Sequence, residues 1–228
     1  MSKKSLFSLI ALGSLGAPAV SMAQLSANVG YVSDYIFRGF YQEESSPSAG
    51  LDYESSGFYV GTWWADVGDG LEQDFYFGYG GGSDDFGWSV GFTGYYYTED
   101  TFDDTYQEIN LGISSGGFAA DLAIGEYDNF GTSVDYTYLG LSYTLDVGTS
   151  FTVAQTDYDG VGGSPGADGI WLEISHAWEV MDEIELSVTY LYSSDGDDPN
   201  STIVLSGDNA LATDALVFGL SKSFSFGD

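Results

Sequence analysis

The feature that most limits what this chain can fold into is a strict period-two alternation of apolar and polar residues, confined to segments of about ten residues. Ile109, Leu111 and Ile113 alternate with Glu108, Asn110, Gly112 and Ser114. Phe118, Ala120, Leu122 and Ile124 alternate with Ala119, Asp121, Ala123 and Gly125. Ile170, Leu172 and Ile174 alternate with Trp171, Glu173 and Ser175; Ile184, Leu186, Val188 and Tyr190 alternate with Glu185, Ser187 and Thr189. Successive side chains of a strand point to opposite faces, so each segment predicts a strand with one apolar and one polar face. None of these segments repeats at helical spacing. Twelve strands are predicted, at 25–41, 47–54, 57–65, 72–80, 86–97, 105–115, 117–127, 134–145, 148–158, 168–178, 183–192 and 213–226.

The connections carry independent information. Those at 55–56, 82–85, 115–116, 146–147 and 180–182 are short. Those at 66–71, 98–104, 128–133, 159–167 and 193–212 are longer, and the two kinds alternate. This pattern predicts an all-β fold, a transmembrane antiparallel up-and-down β-barrel of about 12 strands, with tight periplasmic turns, long extracellular loops and both termini periplasmic. A soluble sandwich or soluble barrel also alternates, but two features weigh against both. The polar faces carry Gly, Ser and acids, where a small soluble barrel needs apolar filling. Aromatics crowd the strand ends, at Trp63, Trp64, Tyr95, Tyr96, Tyr97, Trp178, Tyr190, Tyr192, Phe224 and Phe226, as interfacial girdles would.

Residues 1–23 read as a signal peptide: Lys3 and Lys4, a short apolar run from Leu6 to Val20, then Ser21-Met22-Ala23 before Gln24. The alternative is an uncleaved anchor, for which the run is short against the ~20 residues of a spanning helix. Residues 24–228 then form one barrel domain, in the outer membrane of a Gram-negative cell after export through the periplasm. That part holds all 35 acids and only two bases, Arg38 and Lys222. Such a balance excludes a nucleic-acid partner and a polybasic membrane surface, although acidity also serves plain solvation. The chain has no cysteine, which rules out thiolate metal sites and cysteine nucleophiles.

The run Ala27-Asn28-Val29-Gly30-Tyr31-Val32-Ser33-Asp34-Tyr35-Ile36-Phe37-Arg38-Gly39 resembles the start of the TorF family of outer-membrane porins, where a Ser-Asp-Tyr-x-Phe-Arg-Gly motif follows the first strand. Gly50-Leu51-Asp52-Tyr53 and Ser56-Gly57-Phe58-Tyr59-Val60-Gly61-Thr62-Trp63 resemble that family's next hairpin. The chain departs from the family at Gly39-Phe40-Tyr41-Gln42, where Gly-x-Ser-Gln is usual. It also departs at its end, where Gly227 and Asp228 follow Phe226. Lys222 interrupts the apolar stripe of the last strand, either snorkelling to headgroups or marking a bulge. The resemblance implies an outer-membrane channel and names no substrate.

Candidate sites follow from the faces. Arg38 shares a face with Asp34, roughly 13 Å away along an extended strand, so it is expected to meet acids of other strands within the lumen. Its role is a constriction cation or a buried ion-pair anchor. Glu108, Asp121, Glu173 and Glu185 are expected to line the lumen, with Asp52 and Asp74 as weaker members. Acidic rings select cations, which predicts passive diffusion of small cationic solutes. Twelve strands is also a size that side chains can fill, so a closed structural or partner-binding barrel is the alternative. His176, the single histidine, falls on the apolar face beside Ala177 and Trp178; no catalytic site and no enzyme activity are expected. No cofactor is expected. The acid-rich 195–200 segment lacks EF-hand spacing and is at most a weak divalent-cation ligand. The glycine-rich runs at 80–82 and 160–166 lack a lysine and a strand-to-helix context, so no phosphate loop is read. Expected partners are outer-membrane lipid, lipopolysaccharide, and small solutes or ions.

Overall fold

The structure, a computed structural model, describes residues 24–83, 85–99, 105–129, 132–159, 167–193 and 214–226. The expected leader at 1–23 lies outside them, as do Asp100, Asp103 and Asp104 and the segments 160–166 and 195–200. Twelve strands form one closed antiparallel barrel: β1 (Gln24–Phe37), β2 (Phe40–Ser55), β3 (Phe58–Asp66), β4 (Leu71–Ser83), β5 (Phe86–Tyr97), β6 (Thr105–Ser115), β7 (Phe118–Asn129), β8 (Thr132–Thr144), β9 (Thr149–Tyr158), β10 (Ala167–Met181), β11 (Ile184–Ser193) and β12 (Asp214–Phe226). Each strand pairs with its sequence neighbour, and β1 closes the ring against β12 from Leu25↔Phe226 to Val32↔Gly219. Closure removes sheet edges.

The outer face carries the apolar half of the alternation. Phe75, Phe77 and Tyr79 of β4, Ile109, Leu111 and Ile113 of β6, and Ile170, Leu172 and Ile174 of β10 are all exposed on it. A monomeric protein in water rarely exposes so continuous an apolar surface, whereas hydrocarbon accepts it. No described helix is long and apolar enough to cross a membrane; here the strands do so. Lys222 lies on this outer face near the end that carries the termini, and its ammonium sits 5.2 Å from the Phe224 ring centroid. The register of β12 against β1 runs through Lys222 without a shift, and that against β11 reaches it at Ile184, so no bulge marks it.

Inside, tyrosine and glycine are matched across strands. Tyr59 faces Gly78, which faces Gly91 in turn; Gly61 faces Tyr76, and Gly125 faces Tyr136. A Cβ on Gly78 would overlap the Tyr59 hydroxyl and the Val90 carbonyl oxygen. The missing side chain is therefore what lets the ring lie flat along the wall. An alanine at an ordinary strand position gains about 0.5–1 kcal/mol over glycine, but overpacking costs about 1–3 kcal/mol. Gly78→Ala is expected to destabilise the barrel, lowering the temperature at which its compact band is lost in heat-modifiability electrophoresis. An unchanged or raised midpoint would show that the ring does not need the gap.

Three sequence expectations are revised. The first strand was expected to run to residue 41. The structure ends β1 at Phe37 and turns at Arg38 and Gly39, with φ of 51° and 89° and Phe37 paired with Phe40. Two consecutive positive φ values give the two-residue turn whose twist matches a hairpin. Arg38 is therefore a turn residue just past the end of β1, not a strand residue on the same face as Asp34. Second, β2 starts at Phe40 instead of residue 47. Third, the aromatics at the strand ends divide by parity. Trp64, Tyr96, Trp178, Tyr190, Tyr192 and Phe226 face outward, whereas Tyr95, Tyr97 and Trp63 pack against interior clusters.

Candidate functional site: the lumen and its inward hairpin

The lumen is organised by the β1–β2 hairpin. β1 pairs with β12 only as far as Val32, and β2 pairs with β3 only from Ser48. Between those points the two strands pair with each other alone. The register shifts at Tyr35/Ile36, where Tyr35 faces Glu43 and Ile36 faces Tyr41, leaving Gln42 as the extra residue. A bulge bends its strand, and here it lies at the base of a tip that leaves the wall and folds inward.

The tip touches nearly every side of the interior. Phe40 meets Tyr158 of β9 edge-on at 5.7 Å and joins a buried cluster with Tyr95, Tyr106, Tyr127, Val134 and Tyr136. Ile36 packs on the cluster of Ala123, Tyr138, Ala154, Trp171 and Leu191. Phe37 lies 5.6 Å from Tyr95, and a Cβ on Gly39 would stand 3.0 Å from the Trp171 indole. Tyr35 donates to Glu72 at 2.6 Å, and Tyr97 donates to the other oxygen of that carboxylate at 2.9 Å.

The polar centre of the tip is Arg38. Its Nη1 and Nη2 donate to the two Glu108 oxygens at 2.7 and 2.8 Å, a bidentate pair with both residues buried, at 6% and 2% exposure. Tyr95, Tyr136 and Asn110 also donate to Glu108, at 2.8, 2.7 and 2.6 Å. The guanidinium lies 4.4 Å from the Tyr138 ring centroid and 4.8 Å from that of Phe37. Two fork-to-fork hydrogen bonds fix orientation as well as distance, and full satisfaction of the carboxylate offsets its burial.

Below the tip, toward the strand ends that carry the termini, lies a cavity of ≈ 420 Å³. It runs from Gln24, Glu54 and Ser225 to the Arg38–Gly39 turn. Seven acids line it, Asp34, Asp52, Glu54, Glu108, Asp121, Glu173 and Glu185, against one base, Arg38. The structure thus gathers Arg38, Asp34, Glu108, Asp121, Glu173 and Glu185 around one space. Arg38 and Asp34 do not pair: Asp34 accepts from Ser33 at 2.8 Å. Asp52 accepts from Asn28 and from the Tyr76 hydroxyl. Asp74 is fully enclosed, away from the cavity lining, with no hydrogen-bond partner among the described residues. His176 shares a hydrogen bond of 2.7 Å with Thr149 and meets Trp178 edge-on at 4.6 Å. No group of three or more potential metal ligands occurs among the described residues.

Sequence reasoning missed the contribution of Ile36, Phe37, Gly39 and Phe40, and placed Tyr95 and Tyr97 in a girdle. Parity held the signal for the two tyrosines, since Phe86, Trp88 and Val90 of the same strand occupy the outward parity shared by Tyr96. The inward fold of the tip left no comparable mark, because its contacts lie far along the chain.

Solved structures share the architecture at low identity. A chain from work on the in-meso crystallization of membrane proteins aligns with TM-score 0.59 at 8% identity, over 89% of this chain and 84% of that one. The KdgM porin aligns with TM-score 0.54 at 9% identity, over 89% and 99%. The COG4313 outer membrane channel from Pseudomonas putida F1 aligns with TM-score 0.52 at 11% identity, over 94% and 100%. These likenesses establish the barrel fold. No curated protein matches the sequence. The profile of the bacterial proteins of unknown function called Gcw_chp matches residues 16–224, and the chain, a closed twelve-strand barrel with an inward-folded hairpin, belongs to that family.

Proposed function

We propose that this protein is an outer-membrane channel that passes small solutes, favours cations, and has the β1–β2 hairpin as its constriction. The observation that carries the reading is the lining of the cavity: seven carboxylates and one guanidinium, which Glu108 already pairs. A lumen lined by one sign of charge concentrates the opposite sign. The apolar exterior and the fold shared with an outer membrane channel and a porin support the membrane setting. The motif around Arg38 supports a place beside the TorF porins. In this reading 1–23 is a cleaved export signal, the termini and the cavity face the periplasm, and the long acidic connections face lipopolysaccharide with its divalent cations.

Liposome swelling tests the reading with two solutes of similar size and opposite charge. Proteoliposomes are expected to swell faster in lysine than in glutamate. Equal rates, or faster glutamate entry, would remove the cation preference. The burial of the tip on so many sides favours a second reading, a closed barrel, which predicts no swelling in either solute.

A further inference from the structure

We propose that the cavity beneath the hairpin is a binding site for linear aliphatic polyamines, with Glu173 and Asp121 as its inner anchors; the assignment rests on the reading of the lumen as cation-accepting. Glu173 is 9% exposed, lines the cavity, and has no hydrogen-bond or ion-pair partner among the described residues. A carboxylate so enclosed is costly unless a cation or donor meets it. Neither basic residue among the described residues supplies that cation, since Arg38 is held by Glu108 and Lys222 lies on the outer face against Phe224. Two further buried groups of the same wall have no hydrogen-bond partner among the described residues: Thr189 Oγ1 on β11 and Trp171 Nε1 on β10, both from residues lining the cavity. Trp171 occupies the inward position next to Glu173 on β10, and its ring stacks on Tyr138 at 6.3 Å.

The spacing of the acids selects the class of cation. Glu54 and Glu185 each lie one residue from the end of their strand nearest the termini, and Asp52 and Asp121 lie three residues in. Arg38 and Glu108 form the ceiling. The carboxylates are thus spread along the cavity, and no three converge as metal ligands among the described residues. One small ion satisfies one level of such a ladder. A flexible chain with ammonium groups separated by methylenes satisfies several at once, and the serines of β12, Ser221, Ser223 and Ser225, offer hydroxyl oxygens on the strand beside β11, where Ser221 is paired with Glu185.

Calorimetric titration of the full, folded protein in detergent at fixed ionic strength tests this, with spermidine as the probe. Saturable binding of one spermidine is expected, with 1,8-octanediol giving no heat. Glu173→Gln is expected to weaken binding by about tenfold or more, as loss of a charge-assisted hydrogen bond does. Glu173→Gln with Asp121→Asn is expected to abolish it, while heat-modifiability shows that the variants remain folded barrels. Unchanged affinity in the double variant would overturn the proposal, because spermidine would then sit on the acidic connections. Displacement by Mg²⁺ at equal charge concentration would overturn it too. Spermidine binding without conductance would leave the site standing and remove the channel; cation-selective current without spermidine binding would do the reverse.

Discussion

Arg38→Ala is expected to raise single-channel conductance several-fold over the wild-type barrel. The substitution removes both bonds from the hairpin tip to Glu108 and the packing of the guanidinium on Tyr138. It leaves the wall intact, because Glu108 keeps its bonds from Tyr95, Tyr136 and Asn110. A hydrogen bond to a charged group contributes about 1.5–3 kcal/mol, so two of them bias the tip inward by a factor of about a hundred or more. Phe40, Ile36 and the Tyr35–Glu72 bond still hold the tip inward, so repeated openings are expected instead of permanent release. Arg38→Lys keeps the charge without the planar fork and is expected to fall between the two. Planar-bilayer recording checks the series. Identical conductance in all three proteins would show that this pair does not hold the constriction.

The second large effect concerns charge. Neutralising Asp121, Glu173 and Glu185 together, as Asn, Gln and Gln, is expected to lower the cation-to-anion permeability ratio by about tenfold or more. A carboxylate 4 Å from a permeating ion contributes about 1 kcal/mol in bulk water and about 4 kcal/mol at the effective dielectric near a protein surface. Each factor of ten corresponds to about 1.4 kcal/mol. Three such groups therefore exceed that threshold even when mostly solvated. The Arg38–Glu108 pair is untouched, so conductance should change much less than selectivity. A ratio that stays constant would place the selective field elsewhere, in the long acidic connections.

The barrel was legible because alternation is a local property. Ile109, Leu111 and Ile113 announce a strand and its lipid face within seven residues, and short and long connections give the order of turns. The inward face was legible by the same parity, which is why Glu108, Asp121, Glu173 and Glu185 could be named from sequence as lining candidates. The hairpin was not legible. Ile36-Phe37-Arg38-Gly39-Phe40 carries apolar and aromatic residues on both sides of its turn, with a single glycine between them, so no cluster of turn residues marks the point where the strand stops. Arg-Gly also lacks the Asn or Asp that usually signals a two-residue turn. The contacts that draw the tip inward come from Glu108, Tyr158 and Trp171, each far along the chain, and the bulge at Gln42 exists only as a register against β1. The glycines opposite Tyr59, Tyr76 and Tyr136 were visible as composition, but their purpose appears only when the strands are paired.

The reversal potential across a planar bilayer in a potassium chloride gradient tests the central claim most directly, measured on the wild-type barrel and on Arg38→Ala. The account predicts a potential of the sign set by potassium in both, with larger currents in the variant. A chloride-directed potential, or no current from either protein, would contradict it.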